Sequence, residues 1–402
     1  MRVPLLVTLR TGQVGTFSVS MPANVSFGYG TRNEIPETIA KYGKRVLYVT
    51  GKRSLKTSGL LNELVDAAKA AELEPVVFDG VEAEPLVETV DRCRDMLLDE
   101  DIEVVVTVGG GSVIDVGKAA AALVDSELPT AEHLAGAEMP EDGLPIIAAP
   151  TTSGTGAEVT PNAVLRDLSA GTKASIRGDH LLPIAAIVDP QLTMHASAQV
   201  TAHSGLDALT QAIEAYTSLG ANTFTDGLAF QAAIRIGVSL QMACLDAKSW
   251  PARESMALGS LFAGIALASA RLGLVHGLAH PIGMIYGIPH GQICALLLPY
   301  VMDYNAPACG EKYATLAQAM GVGESPDDLI LWVRKLSHEI GVTGSPGDHG
   351  LKSDDLDRII PPTIASGSTK HNPREVTEEE LAELLNAMML PGDEHWQGRE
   401  SE

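Results

Sequence analysis

The chain has 402 residues, of which 45% are hydrophobic and 20% charged, so it is long enough to form two globular domains. Its formal net charge of −23 repels phosphate backbones and anionic lipids, which argues against nucleic acid and membranes as partners. The four cysteines lack Cys-x-x-Cys spacing, and no signal-peptide layout or long uninterrupted apolar run is present. These features predict a cytoplasmic protein without a disulfide framework or a transmembrane helix.

The first half of the chain alternates short β-branched runs with helical patterns. Helices are predicted at Leu60–Ala71 and Leu86–Asp99, and a β-hairpin within residues 1–20. Alternating strands and helices favour a parallel sheet that is covered on both faces. Buried strands are predicted at Arg45–Thr50, Pro75–Asp79, Glu103–Val108, Pro145–Ala149 and Ala185–Asp189.

After about Gln191 the strand patterns stop and long Ala- and Leu-rich segments follow. This change predicts a domain boundary near residues 190–200, with an α/β domain at 1–195 and an all-α domain at 196–402. The polar tail from Pro391 is expected to be frayed. Helices are predicted at Gly205–Ser218, Thr223–Ala247, Ala252–Arg271, Gly291–Tyr304, Pro326–Ile340 and Thr377–Met389.

Two glycine-containing loops follow predicted strands. In the first, Gly109-Gly110-Gly111-Ser112 precedes a helix, whose free N–H groups favour an anion, and Ser112 and Asp115 have the spacing of a capping box. It is neither a G-x-G-x-x-G fingerprint nor a P-loop. The second loop, at 150–158, reads PTTSGTGAE and offers several hydroxyl groups. Loops at neighbouring strand ends form the ligand crevice of open α/β sheets, although each segment is also compatible with a turn that binds no ligand.

The helical half carries a possible metal-binding group. Asp207 and Gln211 are four residues apart and share a helix face, as do His276 and His280, and His290 follows closely. A carboxylate and imidazoles on facing helices can bind a metal ion. Hydrogen-bonded structural histidines remain the alternative interpretation.

Taken together, these segments resemble the iron-containing (group III, metal-dependent) alcohol dehydrogenase family. The resemblance runs from about Pro22 to Met389 and implies a dehydroquinate synthase-like architecture, in which a dinucleotide-binding α/β domain and an all-α domain enclose a cleft. The matching pieces are GGGSVIDVGK at 109–118, PTTSGTGAE at 150–158, VDP at 188–190, SGLDALTQAIEAY at 204–216, GLVHGLAHPIG at 273–283, PHG at 289–291 and HNPRE at 371–375.

The resemblance also implies a set of cofactor-binding residues. Gly51 stands where the family often has a strand-end acidic residue, and Lys52 and Arg53 follow it, so we expect NADPH to be accepted as well as NADH. Glu84 replaces the asparagine of a Pro-Asn-Pro turn. The residues expected at the pyrophosphate, ribose and nicotinamide are Gly110, Gly111, Ser112, Thr151, Thr152, Thr155, Asn162 and Lys173.

Asp207, His276 and His290 match three ligands of a divalent metal, Fe²⁺ or Zn²⁺, and Gln211 occupies the position of the usual fourth histidine. Three arrangements follow. The metal is held by three ligands with Gln211 as a weak fourth, or no metal binds and these side chains contact the substrate oxygen directly, or His203 replaces the missing ligand. His203 is expected to precede the helix that carries Asp207.

The resemblance implies an NAD(P)-dependent oxidoreductase that interconverts a small alcohol and an aldehyde or ketone. Its catalytic residues would be Asp207, His276 and His280, with His280 beside the metal as a proton relay. The alternatives are a metal-independent, maleylacetate reductase-like reductase of an oxo-acid, a lyase that uses NAD transiently, and a nucleotide-binding pseudoenzyme. A homodimer or larger homo-oligomer is expected, in part through β-pairing of Val3–Val19.

Overall fold

A computed structural model describes residues 16–390 and 394–396 of the chain. Its first part is an α/β domain built on a six-stranded sheet, and an antiparallel hairpin lies beside this sheet. The strands are β1 (Asn24–Phe27), β2 (Arg45–Gly51), β3 (Glu74–Val81), β4 (Val104–Gly109), β5 (Ile146–Pro150), β6 (Asn162–Asp167), β7 (Thr172–Arg177) and β8 (Ala185–Val188).

The six-stranded sheet is entirely parallel and has the order β1-β8-β5-β4-β2-β3. In the central strand β4, Val106 pairs with Tyr48 of β2 on one side and with Ile147 of β5 on the other. All of β4 is buried, as expected for a parallel strand covered on both faces. The sequence analysis predicted five of these strands but missed β1 and the β6–β7 hairpin.

Two apolar layers cover the faces of the sheet, one around α4 and α5 and the other around α1 and α3. Helix α5 begins directly after β4, so the glycine loop lies at the carboxyl edge of the sheet. The helices of this domain are α1 (Ile35–Ala40), α2 (Ser54–Ser58), α3 (Leu60–Ala70), α4 (Val87–Asp99), α5 (Gly111–Ala122) and α6 (Thr130–Leu134).

The second part of the chain is helical, with one large core of Ala, Leu, Ile and Val side chains. Its first helix begins at Ala198. The preceding residue, Ser197, is the N-cap, and its side chain accepts a hydrogen bond from the N–H group of Val200. The helices are α7 (Ala198–Thr217), α8 (Thr223–Leu245), α9 (Trp250–Ala270), α10 (Leu274–Tyr286), α11 (His290–Met320), α12 (Pro326–Glu339), α13 (Leu356–Ala365) and α14 (Glu378–Met388).

Within the described part of the chain, α8 alone is long and apolar enough to cross a membrane by length and composition, and 44% of its most apolar stretch is buried. The pair α9 and α10 passes the same test only jointly and is bent by 102°. Ala229, Ala233, Ile236 and Leu240 of α8 are fully buried. They pack within the helical core, as in the core helix of a globular domain.

The structure corrects several predictions. No capping box forms at α5, because Gly110 is the N-cap, Ser112 Oγ donates a hydrogen bond to the carbonyl oxygen of Ala83, and Asp115 accepts one from the N–H of Val164. His203 lies inside α7, since this helix begins seven residues before Gly205.

Helix α11 extends to Met320 across a kink at Cys309, well beyond the predicted end at Tyr304. The tail from Pro391 is not uniformly frayed, because Glu394–Trp396 forms a 3-10 turn and Trp396 is buried in the helical core. Most of Val3–Val19, the segment predicted to pair across a dimer, lies outside the described residues, and residues 16–20 form no strand.

Candidate active site

A cavity of about 410 Å³ opens between the carboxyl edge of the sheet, the β6–β7 hairpin and helices α7, α9, α10 and α11. Gly110, Thr151 and Thr152 lie in the same two loops but outside the lining, and Gly51 lies at the end of β2. The sequence-predicted residues that line the cavity are Gly111, Ser112, Thr155, Asn162, Lys173, Asp207, Gln211, His276, His280 and His290.

The two glycine-containing loops touch each other. A Cβ atom on Gly111 would lie 2.6 Å from the Thr155 side chain, which is closer than van der Waals contact allows, so this position requires glycine. The N–H of Thr151 donates to the carbonyl oxygen of Gly109 across 2.9 Å. The start of α5 therefore faces the hydroxyl-bearing loop, and an anion between them would meet donors from both sides.

Lys118 of α5 holds the second loop through buried hydrogen bonds, and the sequence analysis assigned it no role. Its Nζ is fully buried and donates to the carbonyl oxygens of Ala157, at 2.8 Å, and Thr160, at 2.6 Å. Burial lowers the pKa of Lys118 to about 8, against the opposing effect of Asp115 and Glu158. The lysine thus ties α5 to the second loop.

The nicotinamide side predicted from the sequence lies along the hairpin. Asn162 Nδ2 donates to Ser175 Oγ at 3.0 Å, and Lys173 Nζ donates to Glu84 Oε2 at 2.7 Å. Glu84, the departure from the family's Pro-Asn-Pro turn, therefore pairs with the predicted cofactor lysine at the cavity wall. This ion pair limits the positions that the ammonium group of Lys173 can occupy.

Asp207, His276 and His290 converge as the sequence analysis predicted. The Oδ1 atom of Asp207 lies 3.3 Å from His276 Nε2 and 3.9 Å from His290 Nε2. Burial opposes ionisation of Asp207, but the hydrogen bond from His276 and the charge of His290 hold the pKa of this carboxyl below its ordinary value. A cluster with an ionised carboxylate and two imidazole nitrogens suits a divalent cation.

Cys294 joins this cluster, and the sequence analysis missed it. Its Sγ lies 4.0 Å from His276 Nε2 and 3.8 Å from His290 Nε2, and the four potential ligand atoms all lie within 4.8 Å of one another. Gln211 is also buried here, with no hydrogen-bond partner for its Oε1. His203 lies outside the cluster. A carboxylate, two imidazole nitrogens and a thiol that converge in one buried place are suitable ligands for a divalent cation, so the residues present fit the metal that the resemblance implies.

Helix α10 is held in place by buried side chains at its N-terminus. Glu214 Oε2 bonds His276 Nδ1 at 2.5 Å, and its Oε1 accepts from the N–H of Val275 at 2.7 Å. Asn372 Oδ1 accepts from the N–H of Leu274 at 3.1 Å. Glu214 therefore leaves His276 Nε2 free to face Asp207, which is how carboxylates commonly orient metal-binding histidines. Its spacing of seven residues from Asp207 was the available sequence signal.

His280 lies one turn after His276 on α10, with its ring centre 5.5 Å from that of His290. It lines the cavity beside the cluster and is not one of the four convergent ligands. Burial and the neighbouring charges of His290 and Lys173 lower the pKa of His280 well below its ordinary value. Its imidazole is therefore neutral at neutral pH, which leaves one ring nitrogen unprotonated.

Comparisons with known proteins agree with this geometry. Residues 22–190 match the family model described as iron-containing alcohol dehydrogenase, and residues 201–389 match the C-terminal model of the Fe-containing alcohol dehydrogenase family. A 1,3-propanediol dehydrogenase from Citrobacter freundii is 38% identical over 355 residues, which is 85% of this chain and 91% of that protein.

Solved structures show the same fold. The crystal structure of a 1,3-propanediol oxidoreductase has a TM-score of 0.87 at 34% identity and covers 92% of this chain and 99% of its own. A sulfoacetaldehyde reductase from Bifidobacterium kashiwanohense in complex with NAD⁺ has a TM-score of 0.86 at 31% identity, covering 93% and 99%. The chain therefore belongs to the iron-containing alcohol dehydrogenase family and is an oxidoreductase that interconverts alcohols and aldehydes or ketones.

Proposed function

We propose that the chain reduces a small aldehyde or ketone to its alcohol with NADPH or NADH, assisted by a divalent metal, as a cytoplasmic homodimer or larger homo-oligomer. One observation supports this proposal most strongly. The glycine loop at Gly111, the cluster around Asp207 and the neutral His280 all line the same cavity. The loop suits a dinucleotide, the cluster suits a cation, and the imidazole suits proton transfer.

Gly111, Ser112 and Thr155 would hold the pyrophosphate of the cofactor at the start of α5, and Asn162 and Lys173 of the hairpin would hold its nicotinamide side. The bound nicotinamide supplies or accepts the hydride. Held by Asp207, His276 and His290, Fe²⁺ or Zn²⁺ would supply a Lewis acid that polarises the substrate carbonyl. A ring nitrogen of His280 takes the alcohol proton during oxidation and returns one during reduction.

The choice of cofactor follows from the end of β2. A Cβ atom on Gly51 would come no closer than 3.7 Å to Val113 and 3.9 Å to the Val81 carbonyl oxygen, and Gly51 itself contributes no carboxylate to repel a 2′-phosphate. Lys52 is exposed and lies 3.7 Å from Glu82, which reduces its attraction for phosphate. We infer that NADPH is used at least comparably with NADH.

A second candidate, reduction of an aldehyde that carries an anionic group, rests on two arginines. Arg177 and Arg271 line the cavity, and no carboxylate among the described residues pairs with either guanidinium. Burial and the charge of Arg271 both lower the pKa of Arg177. Uncompensated guanidinium groups in a chain of net charge −23 suit a carboxylate or sulfonate on the substrate.

Both candidates are tested by the absorbance of reduced nicotinamide. Purified protein receives NADPH or NADH and a panel of aldehydes, before and after removal of metal by a chelator. We expect cofactor oxidation that stops on chelation and returns with metal. No net turnover would contradict the proposal and leave a lyase or a pseudoenzyme, whereas full turnover without metal would establish the metal-independent reductase.

The anionic candidate is tested with succinate semialdehyde and neutral butanal. We expect Arg271→Gln to lower kcat/KM for the semialdehyde by about 10-fold or more, because a charge-assisted hydrogen bond is worth about 1.5–3 kcal/mol, and to leave butanal unaffected. Arg358→Gln, which removes a guanidinium paired with Asp355, is the matched control. An equal effect of Arg271→Gln on both aldehydes would contradict the anionic assignment.

A further inference from the structure

Two helices present matching pairs of polar side chains to the metal cluster. On α7, Gln211 follows Asp207 by four residues, and on α11, Cys294 follows His290 by four residues. Residues four apart share a helix face, so each helix directs two side chains toward the same point, and α10 adds His276. Cys294 is buried, and its Sγ has the two histidine Nε2 atoms as neighbours.

The separations match the edges of a coordination tetrahedron. Metal–ligand bonds of about 2.0–2.3 Å to nitrogen, oxygen and sulfur give edges of roughly 3.3–3.8 Å. The edges among Asp207 Oδ1, His276 Nε2, His290 Nε2 and Cys294 Sγ include 3.3, 3.8, 3.9 and 4.0 Å. All four ligand atoms lie within 4.8 Å of one another, so shifts of about 1 Å or less bring them onto one ion.

Gln211 has a different role from Cys294 in this arrangement. Its carboxamide helps to hold the pKa of Asp207 below its ordinary value, while its Oε1 is buried without a hydrogen-bond partner. An amide oxygen is also a weaker ligand for a borderline metal than a thiolate. We propose that the Cys294 thiolate, and not Gln211, is the fourth metal ligand, and that the resulting carboxylate–imidazole–thiolate set favours Zn²⁺ over Fe²⁺. The thiol proton leaves to solvent when the metal binds.

This inference rests on the metal site of the proposed function and is tested by spectroscopy of the cobalt-substituted protein. Co²⁺ added to the metal-free chain should give an intense near-ultraviolet thiolate-to-cobalt charge-transfer band. The band should vanish in Cys294→Ser and in Cys294→Ala. It should persist in Gln211→Ala and in the matched control Cys309→Ser, whose thiol lies on the same helix and bonds the carbonyl oxygen of Asn305.

Cobalt bound without the band, or a band that survives in both Cys294 variants, would overturn the inference while leaving a metal-assisted enzyme intact. Failure of the wild-type chain to bind any cobalt, zinc or iron would overturn the metal site itself. Competition dialysis gives a second readout, since Cys294→Ser should weaken Zn²⁺ binding by about 10-fold or more and reduce the preference for Zn²⁺ over Fe²⁺. An unchanged preference would also contradict the proposal.

Discussion

Three residues that do not bind the metal themselves are important for the candidate site, because they orient a ligand or shape the cavity. Glu214 holds His276 through Nδ1, so the opposite ring nitrogen faces Asp207. His280 stands one turn further along α10 and keeps a neutral imidazole at the cavity wall. Gly51 leaves room for a Cβ atom at the end of β2. Each of these positions carries a prediction that one substitution can test.

Glu214→Gln should weaken metal binding by about 10- to 100-fold, the usual cost of losing a carboxylate that orients a histidine ligand. The measurement is bound metal per chain after dialysis against graded chelator. Glu379→Gln, which removes an exposed carboxylate in the first turn of α14, serves as the control for charge. Equal metal retention in Glu214→Gln and the wild type would show that Glu214 has only a structural role.

His280→Ala should lower kcat by roughly 10- to 1000-fold while metal content stays unchanged, because a proton relay is lost and no ligand is removed. Single-turnover kinetics across a pH series would separate this step from product release. If kcat stays at the wild-type value when the chemical step is rate-limiting, His280 does not transfer the proton.

Gly51→Asp should shift cofactor preference toward NADH, lowering kcat/KM for NADPH relative to NADH by about 10-fold or more, since a carboxylate accepts from the ribose 2′-hydroxyl and repels a 2′-phosphate. Gly51→Ala controls for the added Cβ, which the site accommodates. A wild-type preference for NADH above roughly 100-fold would contradict the basis of this prediction.

At the scale of elements, the position of α10 depends on how its N-terminus is satisfied. The first N–H groups of a helix lack internal partners, and here Asn372 and Glu214 accept from Leu274 and Val275. Asn372 also exchanges two hydrogen bonds with Asn305 of α11. The HNPRE segment thus joins α10 and α11, the helices that carry three of the four proposed ligands.

Asn372→Ala should destabilise the fold by about 1–3 kcal/mol, because it leaves buried donors and acceptors without partners. Chemical denaturation of the metal-free protein measures this loss. Asn372→Asp keeps the acceptor oxygen for Leu274 and Asn305 and should lose less stability than Asn372→Ala. A variant Asn372→Ala as stable as the wild type would show that water replaces these bonds.

On the scale of the whole molecule, the cavity exists only where the two domains meet. Gly156 has a φ of 63°, and its Cβ position lies 2.4 Å from Gly264 of α9, so the second loop packs directly on the helical domain. A Cβ atom on Gly291 would lie 2.2 Å from the His203 carbonyl oxygen, so α11 packs equally closely on α7 within the helical domain. These glycines allow backbones from distant segments to touch, which brings the cofactor loops and the metal cluster into one cleft.

The homo-oligomer predicted from the sequence stays a prediction. We expect light scattering at micromolar concentration to give a mass of at least twice 42.2 kDa. Deletion of residues 1–15 should lower this mass if β-pairing of that segment joins two copies. Val238→Glu tests an exposed apolar surface of α8, where Val238 and Leu245 remain 66% and 75% exposed, and should lower the mass if this surface joins two copies. A 42.2 kDa species for the full chain would contradict the prediction.

The sequence by itself determined the parallel sheet and the glycine loop after β4, which depend on short-range patterns: β-branched runs and glycines at strand ends. That Asp207 meets His276, which is 69 residues away, and His290 was implied by the resemblance to a known family. The capping box at Ser112 was wrong because the hydroxyl found a partner across the cleft at Ala83.

Only the tertiary structure decided the roles of Lys118, Glu214 and Cys294. Lys118 reaches carbonyl oxygens 39 and 42 residues away, and Glu214 bonds a histidine 62 residues away. Cys294 meets His276 across 18 residues and a change of helix. No local pattern encodes such contacts, because burial and hydrogen bonding are satisfied by whichever distant groups the packed helices bring within reach.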